Sequence, residues 1–172
     1  MKKAMKKAMK KVSRAALLVL LCAAFALPSC GMGQSKKEID TAKIAETLSK
    51  KTPIASAWIN EDQSFIKEYT ELPSFIKSSA IYYAQDTNNL DEFGVFWVES
   101  GKAQMLRLQL TQEYLKKRYD DNLSWYNSYM PAETPKLRDA EVRIYGDCVV
   151  YAVLSQESRK AFFDECEKLL KE

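Results

Sequence analysis

The stretch AEVRIYGDCVVYAVLS, residues 140–155, is the strongest structural signal in the chain. Two runs rich in β-branched and aromatic residues flank Gly146-Asp147, a pair typical of the two-residue turn of a β-hairpin. With residue 145 opposite residue 148, the side chains alternate between the two faces of this hairpin. One face is apolar throughout and is the predicted core side: Val142, Ile144, Val149, Tyr151 and Val153.

The segment before the hairpin predicts the longest helix, from Gly101 to about Tyr129, where Pro131 ends it. Apolar residues recur there at helical spacing. They form a predicted core stripe: Leu108, Leu115, Tyr119, Leu123, Tyr126 and Met130.

The remaining segments predict a second strand pair and two further substantial helices. SAIYYAQ (79–85) and FGVFWVES (93–100) are typical of paired strands. A capping box at Ser35–Glu38 predicts a first helix that runs to about Lys51, a short helix is predicted at 61–69, and the last helix spans Gln156 to Leu170. The expected fold class is therefore α+β, with about four mostly antiparallel strands in two hairpins packed with three helices.

The N-terminus has the three parts of a secretory signal. Seven Lys or Arg residues fall among the first 14, an uncharged apolar run follows at 15–27, and small residues come next. The run is shorter than the roughly 20 residues that span a bilayer. Residues 1–29 are therefore predicted to be a signal peptide.

The end of this signal, Leu27-Pro28-Ser29-Cys30, resembles the bacterial lipobox, in which a Leu and small residues precede an obligatory Cys. The resemblance implies cleavage before Cys30 and attachment of fatty acyl chains of the palmitate kind to that residue, which places the protein on a membrane, outside the cytoplasm. Residues 30–37 would form a tether and residues 38–172 a single domain. Ordinary secretion and an uncleaved N-terminal helix are the alternatives.

Charge and composition restrict the function classes. Without residues 1–29, which hold seven of the 26 Lys and Arg residues, the chain keeps 19 basic residues against 23 acidic residues, a net charge of −4. That balance argues against nucleic-acid binding. The chain has no histidine, so Ser-His-Asp and Cys-His catalysis and the usual nitrogen ligands of zinc are excluded. No cofactor or metal site is predicted.

Paired acids and the remaining thiols are weak candidates for catalysis. The acid pairs at 61–62, 91–92 and 120–121 are neighbours in sequence, so their side chains point apart on a helix or strand and are predicted to serve as caps, turn residues and solvated faces. Cys148 and Cys166 either form a disulfide, which is possible outside the cytoplasm, or are two small semi-buried hydrophobic residues. The interpretation as two unbonded hydrophobic residues is favoured, because Cys148 points away from the Val149 face, where the last helix is expected to pack.

An aromatic-rich helix end is the candidate interaction surface. The predicted core stripe already includes Tyr119 and Tyr126, which leaves Trp125 and Tyr129, at i and i+4, on a neighbouring face. Exposed rings of this kind bind sugars or partner proteins, although packing under the following linker is the simpler explanation.

Three segments together resemble a known family: FGVFWVES, the helix containing YLKKRYDD (114–121), and YMPAETPKLRDAEVRIYGDCVVYAVL (129–154). The pattern is similar to the bacterial lipoproteins grouped as domain of unknown function 4358, over roughly Ile39 to Leu170. The positions that carry the resemblance are structural: Tyr129, Pro131, Leu137, Ala140, Val142, Gly146, Asp147 and Val149. The resemblance implies a membrane-anchored extracytoplasmic domain and no particular activity.

The leading hypothesis is a lipid-anchored, non-enzymatic domain that binds a protein or a cell-envelope component. An envelope-acting enzyme that uses carboxylates or a thiol is the alternative, and a structural subunit whose partner supplies the activity is a third. A binding domain requires an exposed aromatic or apolar patch, whereas an enzyme requires a cleft in which ionisable groups converge.

Overall fold

The computed structural model of the chain describes residues 38–61 and 63–171. The predicted signal peptide, the tether and Cys30 lie outside these residues. Glu38–Glu172 form one compact unit. Within the described residues, no helix has the length and apolar character needed to cross a bilayer.

The centre of the domain is a five-stranded, fully antiparallel sheet in the order β1-β2-β3-β5-β4. The strands span Trp58–Glu61 (β1), Ile76–Ala84 (β2), Glu92–Val98 (β3), Glu141–Tyr145 (β4) and Cys148–Val153 (β5). The α+β class and both predicted hairpins are confirmed. The sheet has five strands rather than about four because β1, only four residues long, lies where no strand was predicted.

The β4–β5 hairpin has the predicted register, with Tyr145 opposite Cys148 and Val142 opposite Tyr151. Gly146 has a φ of 62°, which fits a turn whose first central residue is glycine. On the predicted face, Val149, Tyr151 and Val153 of β5 are fully buried, whereas Val142 and Ile144 of β4 are half-buried against the same core. The opposite face, with Val150 and Ala152, is buried as well, because helices cover both sides of the sheet.

Two helices cover one face of the sheet. Helix α1 (Thr41–Lys51) and the last helix, Gln156–Leu170, pack there against Phe93, Val95 and Val150. We call this side the terminal layer. Helix α1 starts at Thr41, where the Asp40 carboxylate accepts a hydrogen bond from the amide of Lys43 at 2.9 Å. The prediction of a helix start at Ser35–Glu38 is therefore wrong.

The other face carries the helical layer. It consists of α3 (Ala103–Gln109), a π-helical segment (Leu110–Lys116), α4 (Lys117–Tyr129) and the short α5 (Thr134–Arg138). Helix α2 (Ser64–Lys67) lies within the segment predicted as a short helix, and the last helix of the chain is α6.

The π-helical segment changes the predicted core stripe of the long helix. Residues before and after a π-helix no longer share one face of an ideal α-helix, because each turn in the π-helical segment contains an extra residue. Leu115, Tyr126 and Met130 are buried as predicted, but Leu108 is 51% exposed and Leu106 and Leu110 are buried in its place. The placement of Leu108 in the core is therefore wrong.

Gly94 on β3 makes room for the ring of Tyr151, its cross-strand partner on β5. A Cβ atom at Gly94 would lie 2.4 Å from Cε1 of Tyr151 and 3.0 Å from a ring carbon of Phe96, and both rings are fully buried. We expect Gly94→Ala to lower the free energy of unfolding by about 1–3 kcal/mol, the usual cost of overpacking. Chemical denaturation measures this, with Thr87→Ala on an exposed loop as the control. Equal stability of the two variants would contradict the packing described.

Candidate functional site

The aromatic pair, Trp125 and Tyr129, lies on the last two turns of α4. The two side chains are 51% and 73% exposed, and their ring centroids are 5.5 Å apart with 35° between the planes. Both predicted interaction residues are thus at the surface and in contact with each other. Packing under the following linker, the simpler explanation, does not apply.

Tyr126 fixes the aromatic pair from below. Its side chain is buried, and its ring meets that of Trp125 edge-on at a centroid distance of 5.4 Å. The Tyr126 hydroxyl accepts a hydrogen bond from Nε of Arg118, eight residues earlier and about two turns along the helix, at 3.4 Å. The exposed Trp125 ring therefore packs on Tyr126, a buried residue that is hydrogen-bonded to the buried Arg118.

Arg118 belongs to a buried ion-pair cluster that the sequence did not predict. Arg118 is 5% exposed and Glu92, on β3, is 1% exposed. Nη1 of Arg118 lies 2.6 Å from Oε2 of Glu92, and Oε1 of Glu92 accepts hydrogen bonds from the hydroxyls of Tyr114 and Tyr151. The same Arg118 nitrogen donates to the Tyr114 hydroxyl at 2.9 Å.

The tyrosines of this cluster are locked as hydrogen-bond donors. Burial, reinforced by the negative charge of Glu92, raises the pKa of Tyr114 and of Tyr151 well above the ordinary value. Both hydroxyls therefore stay protonated over the physiological pH range. Tyr69 covers the cluster from outside, with its ring 5.6 Å from that of Tyr114 and 5.6 Å from the Arg118 guanidinium carbon.

The π-helical segment delivers two members of the cluster. Tyr114 lies within it and Arg118 follows one turn later, so both reach Glu92 from one side. Single-turn π-helical insertions are frequent at functional sites. In this chain the π-helical segment positions buried polar groups. The exposed aromatic pair lies further along the chain, at the C-terminal end of α4.

The thiols are in an unreactive environment. Cys148 and Cys166 are free and fully buried, and they belong to the same apolar cluster in the terminal layer. Helix α6 packs on the Cys148 face of the sheet, so the expectation that it packs on the Val149 face, and with it the argument that separated the two residues, is wrong. Burial raises the pKa of the Cys148 thiol to about 12. Burial and the nearby Cys148 raise the pKa of Cys166 as well.

The acid pairs mostly serve structural roles. Asp120 and Asp121 form exposed ion pairs with Lys116 and Lys117, one turn earlier. Asp91 lies 2.8 Å from Nζ of Lys136, which ties the loop before β3 to α5. The prediction of solvated faces holds for 120–121, but it is wrong for Glu92, whose carboxylate is in the core.

A shallow groove lies between β4 and the start of α6, lined by Glu141, Arg143, Gln156, Glu157, Arg159 and Lys160. The Glu141 carboxylate accepts hydrogen bonds from Arg143 and from Arg159, each at 2.8 Å. Partial burial would raise the pKa of Glu141, but these two guanidinium groups outweigh it and lower that pKa. The charged groups at the centre of the groove are paired with one another and do not converge on open space.

Within residues 38–61 and 63–171, no three His, Cys, Asp or Glu side chains come close enough together to hold a metal ion. No family model matches the chain, and no curated protein or solved structure matches it either. The resemblance to the family named above stays a prediction.

The buried ion pair predicts strong coupling between Glu92 and Arg118. Removing one partner of a buried pair leaves an uncompensated charge, at a cost of about 3–5 kcal/mol. We expect Glu92→Gln and Arg118→Met each to lower the free energy of unfolding by about 3 kcal/mol or more. The double variant should lose at least about 1 kcal/mol less than the sum. Urea denaturation of the four proteins measures the coupling, and additive losses would contradict it.

The thiol environment predicts resistance to alkylation. At pH 8, iodoacetamide should leave Cys148 and Cys166 unmodified in the folded protein and modify both in guanidinium, as read by peptide mass mapping. Since their folded-state pKa values lie above that of an ordinary thiol, these groups also make the fold less stable as the pH rises above about 8.5. Modification of either thiol in the folded state would refute this description.

Proposed function

We propose that this chain is a bacterial lipoprotein, anchored outside the cytoplasm by acyl chains on Cys30, whose domain binds a component of the cell envelope without catalysing a reaction. The anchor is argued from the sequence alone, from the basic start, the short apolar run and the Leu27–Cys30 segment. Two or three acyl chains hold a protein on a membrane durably, whereas one does not.

One observation supports binding more than any other. Among the described residues, the exposed large hydrophobic side chains all lie on the helical layer or next to it: Tyr69, Met105, Leu108, Trp125 and Tyr129. Within this set of five residues, the aromatic pair is the only place where two rings touch. Trp and Tyr are the residue types that contribute most to binding at interfaces.

The layer opposite to this surface receives the start of the domain. Ile39 and α1 pack in the terminal layer, on the far side of the sheet from α4. The first described residues of the domain therefore lie on the opposite side of the sheet from the aromatic pair.

The state of the ionisable groups supports binding over the enzymatic alternative. A thiol nucleophile requires a lowered pKa and access to substrate, whereas Cys148 and Cys166 are buried with raised pKa values. The carboxylate of Glu92 is enclosed by Arg118 and two tyrosines. The two thiols and the Glu92 carboxylate thus contribute to the packing of the core and are not presented to a substrate.

Acylation can be tested by growing a bacterial host that expresses the full chain on an alkyne analogue of palmitate. We expect label on the wild-type protein and on Cys22→Ser, whose altered residue belongs to the predicted signal, and no label on Cys30→Ser. An unlabelled wild-type protein, or label that persists in Cys30→Ser, would contradict the anchor.

Binding can be tested by sedimenting the full chain, held in lipid nanodiscs, with delipidated cell-wall material. Trp125→Ser/Tyr129→Ser should weaken binding at least about tenfold, since hot-spot residues contribute more than 1 kcal/mol each. Met105→Ser/Leu108→Ser is the matched control, because it removes two side chains that are 54% and 51% exposed. No sedimentation of the wild-type protein, or equal losses in both variants, would contradict the proposed function.

A further inference from the structure

We infer that the aromatic pair binds the glycan strands of the cell envelope, by stacking Trp125 and Tyr129 on pyranose rings. This inference rests on the proposed function and names the chemistry of its ligand. Four features of the described residues carry it: the size of the apolar surface, its polar border, the spacing of the rings, and the rigidity of their support.

The apolar surface is too small for the core of a stable protein interface. Large aromatic side chains bury about 150–250 Å² each, so a pair that is 51% and 73% exposed offers about 300 Å² or less. A standard protein interface buries about 800 Å² on each partner. The other exposed hydrophobic residues of the long helix, Met105 and Leu108, lie at its opposite end. The exposed, charged residues 116, 117, 120 and 121 lie between the two sites.

Polar groups border the rings on the same helix. Asp121, Asn122 and Ser128 lie three or four positions from Trp125, which places them beside it on the helix surface. The hydroxyl of Ser128 donates to the carbonyl of Ser124 at 2.8 Å and keeps its acceptor positions. Aromatic faces with hydroxyl and amide neighbours fit a ligand that has an apolar C–H face and a rim of hydroxyl groups, which is the character of a sugar ring.

The geometry of the Trp125 and Tyr129 rings also fits a sugar ligand. The face of an aromatic ring carries negative partial charge and attracts the weakly positive C–H groups on one side of a pyranose. The ring centroids are 5.5 Å apart, close to the length of one sugar unit along a β-1,4-linked chain, so each ring can meet its own unit. The 35° angle between the planes shows that the two rings are not stacked face to face.

The support under the rings reduces the entropic cost of binding. Tyr126 holds Trp125 edge-on and is itself tied to the buried Arg118. A side chain that is already ordered loses less rotamer freedom when it binds. A small contact surface needs this saving more than a large one does.

The test uses the full chain in nanodiscs with Trp58→Phe and Trp97→Phe, so that fluorescence reports Trp125 alone. The probe is a β-1,4-linked tetrasaccharide of N-acetylglucosamine. We expect a saturable fluorescence change and at least tenfold weaker binding of the monosaccharide. Tyr129→Ser should weaken tetrasaccharide binding at least fivefold, and Met105→Ser/Leu108→Ser less than twofold.

Two controls separate this inference from the proposed function. Soluble glycan released from the wall by a muramidase should compete with wall binding in the sedimentation assay. If the aromatic pair is needed for wall binding but neither the tetrasaccharide nor the released glycan binds, the glycan inference is overturned and the proposed function stands with a protein ligand. An equal fluorescence change with sugar-free phosphatidylglycerol vesicles would overturn the inference in favour of membrane contact.

Discussion

The ion pair between Glu92 and Arg118 is the constraint on which the rest of the domain depends. Moving two charges out of water costs several kcal/mol per ion, and their mutual attraction compensates only when every polar atom has a partner. Here the partners are the hydroxyls of Tyr114, Tyr151 and Tyr126. The cluster joins β3 and β5 to the long helix, and these elements must come together in one arrangement to satisfy it.

Several features of the fold follow from satisfying that pair. Gly94 lacks a side chain where the Tyr151 ring must cross β3 to reach Glu92. The π-helical segment turns Tyr114 and Arg118 toward the sheet, and the same change of phase moves Leu108 to the surface. At the outer end, Arg118 anchors Tyr126, and Tyr126 supports Trp125. The proposed binding surface is thus an extension of the core.

The sequence was sufficient for the local features and insufficient for the non-local ones. The turn at Gly146-Asp147 and the register of its hairpin depend on neighbours in sequence, and patterns of residue type report these. The exposure of Trp125 and Tyr129 was a candidate from sequence, but packing under the linker was the favoured explanation, and only the assembled structure decided against it. From the sequence, Glu92 was interpreted as one of two neighbouring surface acids, because its ion-pair partner Arg118 is 26 residues away on another element. The π-helical insertion and the packing side of α6 depend on the assembled core, which no single segment encodes.

The most direct test is hydroxyl-radical footprinting of the full chain in nanodiscs, with and without delipidated cell-wall material. Radicals oxidise exposed Trp, Tyr and Met side chains, so a single experiment compares Trp125 and Tyr129 with Met105 at the other end of the long helix. Binding through the aromatic pair predicts several-fold slower oxidation of Trp125 and Tyr129 and an unchanged rate at Met105. Protection at Met105 alone, or no change at any of the three, would contradict the account.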